Sequence, residues 1–400
     1  MLQISTPQLR TPLMIGVSGG VAMAAAMGFG RFFYTPVLPG MIAGIPISAA
    51  DAGTIAAGNF AGYLAGAVLS AYGWASGRER QVALGGLLAT AVLLAAMGLS
   101  TSVTVFVVIR FLAGLASAFS MIFTSAVVLP HAAGRPTVGM LHYGGVGAGI
   151  ALSSALAFIV NTVAGDAAHG WRINWFAGAA IAFLVFLLVS RGLPRPAGET
   201  RVPVEPRLVW NRPLVLITLS YGLFGFGYVI TATFLVAIAR MGNAGSVVEF
   251  LAWFVTGCAA TVSLFAWQPF VRRLGLGAAY CAAIALLWLG VLGSVMLPAV
   301  SGALFGGLLL GATFMVVTAY GLQLGRQLAP QSPRRAFAFM TAAFGTGQIV
   351  GPLVAGFIAE RSGSFTLPSL IAAGALVVCV GLALPLIGGL TWESTINENK

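Results

Sequence analysis

Charge is scarce in this sequence. Only 7% of its 400 residues are charged and 59% are hydrophobic, whereas a soluble domain carries about 25% charged residues. So few charges cannot cover a water-facing surface, so most of the surface is expected to face lipid. Acidic residues are the scarcest, 9 against 20 Lys and Arg, and the single Lys is Lys400. The net charge of +11 does not mark a nucleic-acid partner, because the Arg residues are scattered between apolar runs. Three Cys (Cys258, Cys281 and Cys379) each fall inside an apolar run. They supply no disulfide framework and read as small buried hydrophobes. There is no metal-type His/Cys cluster, no phosphate-binding Gly-Lys loop and no paired intramembrane Asp. No enzyme, no cofactor, no metal and no ATP-driven activity is expected. The first eleven residues are short and polar and the first apolar run is of spanning length, so no cleavable signal peptide is expected.

What the chain has is apolar runs. They are about 20 residues long without period-two alternation, which suits membrane helices and not barrel strands. Polar clusters divide the sequence into twelve spans at 13–43, 52–75, 81–100, 103–129, 137–163, 172–190, 213–239, 246–270, 277–297, 302–327, 336–360 and 366–390. Asp51 and Ser246 read as N-caps of the second and eighth, and Pro213 fits the first turn of the seventh. The longest polar stretch, 191–212, holds four Pro and five Arg. It divides the chain into a bundle at 1–190, a cytoplasmic linker at 191–212 and a bundle at 213–400. With the amino terminus in the cytoplasm, fifteen Lys and Arg fall on the cytoplasmic side. Only Arg172, Arg240 and Arg361 fall outside, while Arg31 and Arg110 lie within spans. This bias fixes the orientation expected: a multi-pass inner-membrane protein with both termini cytoplasmic.

The two halves repeat. Gly28-Phe29-Gly30 recurs 197 residues on as Gly225-Phe226-Gly227, and at the same offset Gly114 meets Gly311. At an offset of 200, Met140, Gly145 and Gly147 meet Met340, Gly345 and Gly347. Parallel six-helix repeats with a binding site between them are a transporter architecture. Small-residue stripes (Gly58/Gly62/Gly66, Gly145/Gly149/Ser153, Gly307/Gly311 and Gly347/Gly351/Ala355) let backbones approach closely. They read either as static packing or as contacts that slide during transport.

Ionisable groups inside a membrane cost about 2.5–3.5 kcal/mol each and are functional candidates by default. Arg31 in the first span, with Tyr34 one turn on, can hold a carboxylate or phosphate through its fork of donors. The bland alternative is a snorkelling or helix-pinning role. Arg110 in the fourth span reads equally as a coupling group or as a structural donor to carbonyls. His142 could relay protons or sit quietly bonded at the cytoplasmic edge. No acidic residue sits at a span centre. Glu249 is the deepest and is a candidate proton carrier, while Glu79 lies in the loop after the second span. Neutral polar residues near the midplane are Asn59, Tyr63, Tyr228, Thr231, Thr256 and Gln348. Tyr228 takes the place of Arg31 under the repeat offset. Trp253, Phe224, Phe234 and Phe344 are candidate apolar walls. Each of these also has an ordinary packing role open to it.

Arg110-x-x-x-Gly114-x-Ala116 is similar to the fourth-helix motif of the major facilitator superfamily. Gly345-x-Gly347-Gln348-x-x-Gly351-Pro352 is similar to its Gly/Pro fifth-helix motif, here in the second half. Gly28-Phe29-Gly30-Arg31 with Pro36 and Pro39 resembles the YbfB/YjiJ-type branch more narrowly. The resemblance spans essentially the whole chain. It implies an all-α membrane protein of two pseudo-symmetric six-helix bundles and a transporter, without fixing a substrate. Two departures stand out. Ser70 takes the place of the Asp usual in the loop after the second helix, leaving Glu79 to rebuild an inner-gate charge. The fifth helix has no Pro, unlike antiporters of the superfamily. The function expected is secondary transport of a small organic anion by a monomeric carrier. A proton or counter-substrate is the candidate driving partner, and efflux of apolar or cationic compounds is the alternative.

Overall fold

The computed structural model describes residues 11–164, 169–194 and 205–387. Among them twelve helices are long and apolar enough to cross a membrane. They are α1 Pro12–Gly44, α2 Ala49–Ser70, α3 Glu79–Met97, α4 Val103–Ala132, α5 Pro136–Val163, α6 Gly170–Gly192, α7 Arg212–Met241, α8 Ser246–Ala266, α9 Leu276–Met296, α10 Ala299–Leu328, α11 Pro333–Ser362 and α12 Thr366–Ala383. The expected span count stands, and most boundaries differ by a few residues. Ser48, not Asp51, caps α2. Asp51 sits at the third helical position and completes a capping box. Gly245, at φ 89°, precedes α8, so Ser246 is its first residue and not its cap. The eighth span ends early, at Ala266, and a separate short helix Gln268–Leu274 follows. Much of the expected linker, and with it Arg195 and Arg201, lies outside the described residues, as do Arg10, Lys400 and the end of the twelfth span.

The helices pack as two bundles of six with the same internal arrangement. α2, α3 and α1 pack on α4, α4 and α5 in the first, and α8, α9 and α7 pack on α10, α10 and α11 in the second. The glycines show how close the equivalence is. A Cβ on Gly114 would overlap the Asn59 carbonyl of α2, and one on Gly311 would overlap the Thr256 carbonyl of α8. Both pairs are related by the repeat offset. Every small-residue stripe named above seats inside its own bundle. Gly62 abuts Phe111, Gly149 abuts Ala24, Gly307 abuts Ala252 and Gly347 abuts Gly222. With lipid as solvent, such close approach gains dispersion contacts that hold a bundle together.

Different glycines join the bundles. Gly147 and Gly257 face each other's helices across the α5–α8 contact, and Gly53 and Gly356 do so across α2–α11. The face where the chain begins is termed proximal here, and the other distal. Near the distal face Thr35 donates to the Ala232 carbonyl (2.8 Å), joining α1 to α7 across 197 residues. Ser48 Oγ and the Ala50 N–H both donate to Glu360 (2.8 and 3.0 Å), so α11 caps α2. No comparable packing joins α4 to α10 or α5 to α11 among the described residues.

α1 is not a regular helix. Its middle, Ala24–Phe32, winds as a π-helix before Tyr34–Gly44 resumes α geometry. Pro36 lacks the N–H that would bond back into this stretch, and Gly28 and Gly30 loosen it. Irregular backbone at membrane depth needs other partners, and Arg110 provides them. Its Nη1 donates to the Gly30 carbonyl (3.2 Å) and its Nη2 to the Arg31 carbonyl (2.9 Å).

Candidate functional site

Arg31 closes the π-helical stretch and points to the contact between the bundles. It is 4% exposed. Its guanidinium carbon lies 4.2 Å from the Tyr63 ring centre, 4.8 Å from Phe60 and 5.5 Å from Phe32. Tyr228 of the other bundle is within electrostatic reach. Nε and Nη2 are buried without a well-formed hydrogen bond; the polar neighbours of the guanidinium are the Tyr63 and Tyr228 hydroxyls, and no carboxylate among the described residues pairs with it. A caged cation without a counter-charge is expensive unless something completes it.

A layer of buried aromatic rings from the second bundle packs beside Arg31. Tyr228 lies nearly parallel to Phe314 (4°, 6.0 Å between centres) and to Phe344 (6°, 5.7 Å). Phe224 and Tyr221 stack on Phe344 in turn. Phe32 of α1 reaches across to Trp253 (6.3 Å) and Phe314 (6.0 Å), tying the bundles through one ring layer. Gln348 donates to the Tyr228 hydroxyl through Nε2. Gln348 Oε1, Thr231 Oγ1 and Trp253 Nε1 are buried without partners. Among the described residues, the layer therefore holds a cation without a carboxylate partner, parallel rings and several unmet polar atoms. Two open cavities flank it along α5 and α8. The distal one, about 430 Å³, is lined by Gly40, Asn161, Trp171 and the Arg240–Glu249 pair. The proximal one, about 370 Å³, is lined by Met140, Tyr143, Gln268 and Tyr320.

The remaining candidates fall elsewhere. Tyr34 is not among the polar neighbours of the Arg31 guanidinium. It donates to the Ala52 carbonyl (3.0 Å) and lies under the Arg110 guanidinium at 5.1 Å. Asn59 donates to the Arg110 carbonyl (3.1 Å), and Thr256 bonds the Ala252 and Gly307 carbonyls. His142 shares a hydrogen bond with Ser125 (2.9 Å) and is packed against Gly19 within the first bundle. Glu249 receives both Nε and Nη2 of Arg240 in the distal cavity. Glu79 is not in the loop but is the first residue of α3, where it accepts from the Gly77 N–H (3.0 Å). Phe234 stacks on Phe365, the residue that precedes α12, away from the ring layer. Phe32, Phe60, Tyr221 and Phe314 were not legible as site residues. Phe60 lies one turn from Tyr63 on α2, a signal that was available. Phe314 follows no motif and no repeat. No group of metal-ligating side chains occurs among the described residues.

A family model described as "Uncharacterised MFS-type transporter YbfB" matches residues 23–384. No curated protein is similar in sequence. Among solved structures, the chain is similar to a mutant of the nucleoside transporter NupG, with a TM-score of 0.74 at 13% identity over 94% of this chain and 99% of that one. It is also similar to a bacterial homologue of the human lysosomal transporter Spinster, with a TM-score of 0.62 at 14% identity over 94% and 95%. At such identities the likeness is one of fold.

Proposed function

The chain belongs to the family of MFS-type transporters typified by YbfB, and on that premise we propose that it is a secondary carrier for a small organic anion. Its cargo is a carboxylate, moved by rocking of the two bundles about the ring layer. The observation that carries this reading is Arg31, a buried cation beside the contact between the bundles that has tyrosine hydroxyls and rings for neighbours and no carboxylate partner among the described residues. A carboxylate supplies the charge and the paired acceptors that a guanidinium fork lacks there. Tyr63, Tyr228, Trp253, Phe344, Gln348 and Thr231 line the same layer, with Tyr34, Asn59 and Thr256 behind it. Arg110 holds the bend of α1 in place. Glu249, His142 and Glu79 are gating or coupling groups outside the layer. The bundles are 1–190 and 213–400, joined by 191–212. The Arg-rich proximal face is cytoplasmic and the membrane is the inner one. The carrier acts as a monomer, driven by a proton or a counter-substrate.

Flux of labelled carboxylates into proteoliposomes tests this. Transport is expected in the wild type and its loss in Arg31→Ala. Equal flux in the two proteins would remove Arg31 from the site. The ring layer also favours a second reading, efflux of apolar compounds. That reading is supported if deletion of the protein changes resistance to such compounds while carboxylate flux is absent.

A further inference from the structure

A carboxylate on Arg31 has fixed surroundings, and they restrict what it is attached to. The charge comes first. Arg31 and Arg110 are the buried Lys or Arg residues among those described, and Arg110 spends both Nη groups on the Gly30 and Arg31 carbonyls. One cation is left for substrate, which matches a single negative charge. The walls come second. The Tyr228 ring lies within 4° of the Phe314 plane and 6° of the Phe344 plane, and Phe224 continues the stack against Tyr228 at 4.9 Å. Flat, parallel rings complement a flat ligand; a puckered one meets fewer of their atoms. Phe32 links the cation to these rings: its centre lies 5.5 Å from the Arg31 guanidinium carbon and 6.0 Å from Phe314, the neighbour of Tyr228. A ring attached directly to the carboxylate would therefore reach the stack when the carboxylate reaches the guanidinium.

From this juxtaposition we propose that the substrate is a planar aromatic monocarboxylate, bound with its carboxylate on Arg31 and its ring on the Tyr228–Phe344 layer. The proposal rests on the anion carrier proposed above, and narrows it. The full-length protein, purified and reconstituted, is titrated with benzoate, cyclohexanecarboxylate and phthalate, with binding read as thermal stabilisation. Benzoate is expected to bind about fivefold more tightly than cyclohexanecarboxylate, which has the same charge and a puckered ring of similar size. Phthalate, with two charges, is expected to bind more weakly than benzoate. Arg31→Met is expected to abolish all three responses. Phe344→Leu is expected to lower benzoate affinity toward that of cyclohexanecarboxylate. The wild-type comparison stands without any variant, should Phe344→Leu not fold. Equal, Arg31-dependent binding of benzoate and cyclohexanecarboxylate overturns the aromatic assignment and leaves the anion carrier intact. Tighter binding of phthalate overturns the single charge. Absence of Arg31-dependent binding by any carboxylate removes both readings.

Discussion

Arg31 and Arg110 are alike in the sequence, each a lone cation in an apolar span. Their surroundings separate them. Arg110 bonds two carbonyls that the π-helical turn leaves open, so removing it orphans them. Arg110→Met is expected to destabilise the protein by about 2 kcal/mol. Arg110→Lys recovers little of this, since one ammonium does not reproduce a two-pronged fork. Arg31 is the opposite case. It is a buried charge without a carboxylate partner among the described residues, and an apolar side chain of similar length relieves that cost. Arg31→Met is expected to leave stability within about 1 kcal/mol of wild type, or to raise it. Thermal unfolding of the two variants in one detergent checks the contrast; a large loss for Arg31→Met would mean that its role is structural. The candidacy of both residues was legible, because charge in lipid is rare. Their division of labour was not, since it depends on which backbone carbonyls are free, and that follows from the winding of α1.

At the scale of elements, the spans were legible because hydrocarbon thickness imposes their length. Their pairing was legible in part. The repeat offset anticipated that Gly114 and Gly311 occupy equivalent places, and their contacts with Asn59 and Thr256 agree. Which glycine rows face the other bundle was not legible, because close packing within and between bundles selects the same small residues. Substitution separates the two kinds. At Gly62 an added methyl meets the Phe111 backbone of the same bundle, while at Gly147 it meets Thr261 and Gly257 of the other. Gly62→Ala is expected to cost about 1–3 kcal/mol of stability with flux per folded protein preserved. Gly147→Ala is expected to lower flux, because the added methyl sits in the α5–α8 contact, across which the proposed rocking moves the bundles. Melting temperatures and proteoliposome flux, measured on both, distinguish them. Loss of flux confined to Gly62→Ala would place the moving contact elsewhere.

At the scale of the whole molecule, the bundles are tied at the distal face by side chains that no motif marks. Glu360 lies in the last turn of α11 and takes the hydrogen bonds offered by Ser48 and Ala50 at the start of α2. A carboxylate is the favoured partner for a helix N-terminus, because the exposed N–H groups there carry partial positive charge. The sequence shows Glu360 only as an acid near a span end; its partner lies more than 300 residues away. Opening toward the distal face must break this cap together with the Thr35–Ala232 bond. Neither bond belongs to the ring layer, so weakening them biases the equilibrium between conformations without touching the binding groups. A bias of about 1 kcal/mol changes the ratio of the two states about fivefold. Glu360→Ala is therefore expected to raise the distal-open population by about that factor. Glu360→Gln, which keeps an acceptor and drops the charge, is expected to raise it less. Distances between spin labels on the distal ends of α2 and α11 report the populations directly. Identical distance distributions in wild type and Glu360→Ala would show that the cap is incidental to opening, and that the α5–α8 and α2–α11 glycine contacts set the equilibrium by themselves.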